Sequence, residues 1–138
     1  MRRLMQWLSR REAFALLLMR LATGAVLVDA GYRKLFVAGV EGATAQFREW
    51  GYPLPQVVGP ANGLFELVGG LALIAGLFSR YIGGLVAIQF LVAILTVSME
   101  RGFQPSRLPI MLMVAGLVLA TSGGGAWTLE RLLSRGRR

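Results

Sequence analysis

The chain has 138 residues, 55% apolar and only 16% charged, where soluble domains run at about 45–50% and about 25%. It contains no cysteine and no histidine, so disulfides, thiolate nucleophiles, imidazole acid–base chemistry and Cys- or His-ligated zinc, haem or iron–sulfur centres are excluded within it. The net charge of +8 comes mainly from arginines set beside apolar blocks and not along a polar face, which argues against nucleic acid as a partner.

Four apolar blocks follow one another, each close to the roughly 20 residues that cross a bilayer. They predict an all-α fold, a four-helix transmembrane bundle forming one integral membrane domain over 1–138, with spans at 13–35, 61–78, 81–99 and 108–127. Short interfacial helices are expected at the termini and in the first outer loop. The first block contains Arg20 and ends past Asp29, Arg33 and Lys34. Residues 1–11, with Leu4, Trp7 and Leu8 among arginines, read as a separate helix lying on the membrane surface. Val28-Asp29-Ala30 resembles a signal-peptide cleavage site, but an arginine inside the preceding apolar stretch opposes that reading.

The loop from Phe36 to Pro60 carries Phe47, Trp50 and Tyr52 with two prolines, the composition of an interfacial segment. The second block holds one acid, Glu66. Only Ser79-Arg80 separates it from the third, so the two helices must be antiparallel neighbours. Gly102 and Pro105 break the chain before the fourth block, with Pro109 in its first turn. With both termini cytoplasmic, the inner segments hold nine Lys and Arg residues and the outer ones five, which favours that orientation in a bacterial inner membrane.

Ionisable side chains inside a bilayer are costly, and each marks a candidate site. Helical phase sorts them. Gly59, Gly63, Glu66 and Gly70 share a face of the second helix, and Arg20, Gly24, Leu27 and Gly31 share a face of the first, with Lys34 near its line. Lys34 is therefore the expected partner of Glu66, while Asp29 and Arg33, four residues apart, form a local ion pair. Depth counted along the blocks gives two polar layers. Glu66, Lys34, Thr96 and Ser98 fall in an outer one, and Arg20, Gln89 and Thr121 in an inner one, where Arg20 either bonds Gln89 or extends to the headgroups. Glu66 with Lys34 reads first as a structural pair fixing helix register, and second as part of a proton or quinone path.

The run Gly31-Tyr32-Arg33-Lys34-Leu35, the element Trp50-Gly51-Tyr52-Pro53 and the stretch from Glu66 through Gly69-Gly70 to Gly76-Leu77-Phe78-Ser79-Arg80 resemble the DoxX family of small bacterial membrane proteins. The segment Gly123-Gly124-Gly125-Ala126-Trp127-Thr128-Leu129-Glu130 is similar to that family's glycine-rich closing element. The resemblance implies a four-helix membrane fold and association with membrane redox systems. Among these are thiosulfate:quinone oxidoreductases, where the family supplies the small subunit, and assemblies with superoxide dismutase or thiol enzymes. Its matching positions are Lys34 and Glu66, with Arg20 and Arg80 behind them. Family members often carry a histidine near the end of the third helix, and here 96–107 has none.

The resulting expectation is a non-catalytic integral subunit of a larger membrane electron-transfer complex, respiratory or photosynthetic, with lipid and other transmembrane subunits as partners. It has no metal and no covalently bound cofactor, and no enzymatic activity is expected of it alone. Two alternatives stand beside it: a subunit of a quinone-linked oxidoreductase, with Gln89 or Lys34 donating to a quinone carbonyl, and a homo-oligomeric carrier of small solutes.

Overall fold

The computed structural model describes residues 1–98 and 103–123 and, beyond them, 133, 135 and 136. The described chain is helical, without a strand. Helix α1 spans Arg2–Tyr32 and continues through a π-helical turn, Arg33–Val37. Then follow α2 (Gly39–Glu49), α3 (Pro55–Ala75) and α4 (Ser79–Ala93), the last running into a second π-helical turn, Ile94–Ser98, and finally α5 (Phe103–Ser122). Three described helical stretches, Arg2–Val37, Pro55–Ala75 and Ser79–Thr96, are long and apolar enough to cross a membrane, and a shorter apolar one covers Arg107–Ser122.

Several boundaries differ from the sequence reading, each for a local reason. Residues 1–11 do not form a separate helix. Nothing between Arg2 and Tyr32 breaks α1, and Arg11 stacks over the Trp7 ring at 3.5 Å on its exposed flank. Helix α3 begins at Pro55, six residues before the apolar block at 61–78. Pro55 sits at its first turn, where no N–H is needed, and Pro60 is accommodated inside the helix. It ends at Ala75, where Gly76 takes the left-handed conformation (φ 81°) that terminates helices. Helix α5 begins at Phe103 and not 108, so Pro105 lies in its first turn and Pro109 within it. The remainder of the span expected at 108–127, the closing element beyond Gly123 and the terminal tail helix lie outside the described residues.

Packing is organised in two antiparallel pairs. On α1, Gly24 faces Gly70 of α3, and Gly31 faces Gly63. A Cβ on Gly24 would lie 2.8 Å from the Gly70 carbonyl oxygen, and one on Gly31 only 2.5 Å from the Leu67 nitrogen. Helices α4 and α5 meet the same way, with a Cβ on Gly116 falling 2.6 Å from the Gly83 carbonyl oxygen. Hydrophobic burial cannot hold apolar helices together when the solvent is lipid, so close backbone approach and van der Waals contact carry each pair. Helices α3 and α4, joined by a three-residue turn, touch far less extensively than either pair, as do α1 and α5. The two helices are the antiparallel neighbours that the short Ser79-Arg80 turn requires, joined by the Gln89–Glu66 bond, but each spends its glycine face on another helix. A small apolar core of Leu27, Leu73, Val86 and Leu119, one from each long helix, fills the seam between the pairs.

Candidate functional site

The site is built around Glu66, which is 2% exposed and carried on the glycine face of α3. Small residues on that face bring α1 close enough for a side chain from its far end to reach Glu66. Lys34, in the π-helical turn after α1, lies with its Cβ beside Gly63, and its four-carbon stem runs along α3. Its Nζ donates to Glu66 Oε1 at 2.9 Å and to Oε2 at 2.8 Å. Asn62, one turn earlier on α3, donates through Nδ2 to Oε1 at 3.2 Å. Gln89 of α4 donates through Nε2 to the same oxygen at 2.7 Å. One carboxylate thus accepts from side chains on the α1 extension, α3 and α4. Burying a charge is tolerable only with such pairing and hydrogen bonding.

Helix α2 and the turn after it cover this cluster. Phe47 is buried, its ring centre 6.0 Å from Lys34 Nζ and 5.3 and 5.1 Å from the tilted rings of Trp50 and Tyr52. Thr96, in the second π-helical turn, donates its hydroxyl to the Val92 carbonyl at 2.7 Å, so Tyr52 OH donates to Thr96 Oγ1 at 2.6 Å. Both π-helical turns therefore stand at this end of the molecule, one bearing Lys34 and the other Thr96. Such turns recur at functional sites because the extra residue re-aims neighbouring side chains.

The structure places the sequence-derived residues as follows. Lys34 and Glu66 meet, and Asp29 and Arg33 pair locally at 3.0 Å with both side chains largely exposed. Arg20 is buried on the glycine face of α1, near the level of Ile74. Gln89 does not join Arg20, which corrects the two-layer picture: its Nε2 is on Glu66, and its buried Oε1 accepts no hydrogen bond among the described residues. The early start of α3 puts Glu66 near mid-helix. Measured from the turn the two antiparallel helices share, Glu66 lies about 14 Å along α3 from Ala75 and Gln89 about 15 Å along α4 from Ser79, at ~1.5 Å per residue. They are level. Thr121 donates its hydroxyl back to Leu117 and Val118 on its own helix. The side chain of Ser98 lies outside the description. Asn62 and Tyr52 were missed as site residues. Asn62 was legible, four residues before Glu66 on one face; Tyr52 was not, because its partner is 44 residues away.

Residues 15–99, which contain Lys34, Tyr52, Asn62, Glu66, Gln89 and Thr96, match the DoxX family model. The chain belongs to the DoxX family. A protein of Bacillus subtilis (strain 168), named "Putative oxidoreductase CatD", is 28% identical over 123 residues, covering 88% of this chain and 89% of that protein. No solved structure matches. As a DoxX protein with apolar helices of spanning length, the chain is a multi-pass membrane protein in contact with the lipid bilayer.

Proposed function

We propose that this DoxX protein is a non-catalytic integral subunit of a larger membrane electron-transfer complex in the bacterial inner membrane. It would span four times with both termini in the cytoplasm, and α2 would lie at the outer interface. The observation that carries the reading is the state of Glu66: a buried carboxylate engaged by Lys34, Asn62 and Gln89 from within the protein. A carboxylate so occupied is a poor base or nucleophile and a good register lock between helices. The composition supports it, because a chain without cysteine or histidine relies on a partner to ligate a redox metal through such side chains. The similarity to a protein named as an oxidoreductase supports a redox setting, and the outward apolar faces, such as Leu64, Val68 and Leu71 on α3, suit helices of other subunits as well as lipid.

One observation favours a second reading, in which the chain lines a quinone path: among the described residues Gln89 Oε1 is a buried acceptor with no donor, on an amide whose Nε2 shares Glu66 Oε1 with the Lys34 ammonium. A quinol hydroxyl would suit that oxygen, and a quinone carbonyl would suit Lys34. Mild-detergent purification from native membranes decides between them. Co-purifying cofactor-bearing subunits, with turnover that survives Gln89→Ala, support the accessory role. Quinone reduction by the isolated chain, abolished by Glu66→Ala, overturns it in favour of the second reading. A lone homo-oligomer that moves solutes in proteoliposomes overturns both.

A further inference from the structure

We infer that the molecule is a hinged clasp: the α1–α3 half and the α4–α5 half pivot about the Gly76–Phe78 turn, and Gln89 and Tyr52 hold the opposite end shut over Glu66. The halves are stiff for a stated reason. Within each, backbone lies against backbone, so that a single added Cβ at Gly31, Gly70 or Gly116 would meet carbonyl or amide atoms within 2.5–2.8 Å. Packed interfaces of this kind move as bodies and do not deform continuously.

The seam between the halves is different in kind. Its backbone contacts are sparse, and its core is four aliphatic side chains, with Phe65, Ile82 and Phe90 against them, that gain little from meeting each other instead of lipid tails. Among the described residues, polar bonds cross it from Gln89 Nε2 to Glu66 Oε1 and from Tyr52 OH to Thr96 Oγ1. Both lie away from the turn. Gln89 is about 16 Å along α4 from Phe78 and Thr96 about 27 Å, at ~1.5 Å per residue. The turn itself has the backbone of a pivot, with Gly76 at φ 81° and Phe78 at φ 51°, a region bulky residues rarely occupy. Among the described residues Gln89 Oε1 has no donor in the closed state, and opening to a hydrogen-bonding molecule would satisfy it. Opening would expose Lys34 and Glu66 sideways between α3 and α4, a route separate from the α2 cover.

The natural absence of cysteine makes the test direct. Nitroxide pairs are placed on exposed residues and their distance distributions read by dipolar electron paramagnetic resonance in lipid nanodiscs. Val57→Cys with Leu95→Cys spans the clasp end, Leu71→Cys with Tyr81→Cys spans the hinge end, and Val37→Cys with Leu64→Cys reports within one half. In the Gln89→Ala/Tyr52→Phe background the clasp-end distribution should lengthen by about 5 Å or more, a pivot of roughly 10° on the longer arm, while the other two stay as in the parent. An unchanged clasp-end distribution overturns the proposal. So does an equal change in all three pairs, because that is general loosening and not a pivot.

Discussion

The contact between α1 and α3 and the contact between α3 and α4 are both antiparallel helix pairs, yet they are held by opposite means. The first uses glycines to bring backbones together, with the Lys34–Glu66 pair at its edge. The second is loosely packed and depends on Gln89 reaching Glu66. The difference teaches that a bilayer protein can make one interface permanent through shape and an adjacent one conditional through a few hydrogen bonds. Shape cannot be switched without unfolding, whereas a hydrogen bond can be exchanged for another donor.

The comparison breaks most severely if shape is removed. Gly31→Leu should abolish the α1–α3 pair, at more than the roughly 1–3 kcal/mol of ordinary overpacking, because backbone and not a rotatable side chain stands in the way. Size-exclusion chromatography in mild detergent should show aggregated or absent protein, and a well-folded variant would refute the rigid pair. Glu66→Gln comes next. It leaves Lys34, only 20% exposed, beside a neutral amide, and losing one member of a buried pair costs roughly 3–5 kcal/mol. The thermal midpoint in detergent should fall clearly, and Lys34→Met with Glu66→Gln should recover much of the loss.

A smaller effect is expected from Gln89→Leu, which removes the seam bond while leaving Lys34 and Asn62 on the carboxylate. Hydrogen bonds between membrane helices average roughly 0.6 kcal/mol, so a shift of that order in reversible unfolding is expected. A loss as large as that of Glu66→Gln would mean that the seam is no weaker than the pairs. The smallest effect belongs to Asp29→Asn. That ion pair has side chains 62% and 71% exposed, and exposed pairs contribute roughly 0–1 kcal/mol, so stability should be nearly unchanged, and insensitive to salt once the acid is gone.

The sequence by itself determined the helices, the family and the local chemistry. Apolar blocks of bilayer length, the glycine spacing around Glu66 and the four-residue step from Asp29 to Arg33 are short-range patterns, and one helix's geometry is enough to interpret them. Helical phase also put Lys34 on the face nearest Glu66, because small residues on both helices leave few other directions for a charge. Where helices begin was harder to see, since prolines read as breaks are welcome in a first turn. That error placed Glu66 too near one end and separated it from Gln89. Only the tertiary structure decided which helices pair, that Tyr52 bonds Thr96, and that Gln89 belongs to Glu66 and not to Arg20. These are contacts between residues distant in sequence, and their choice depends on competition among glycine faces for the closest backbone approach, a property of the assembled bundle that no single helix carries.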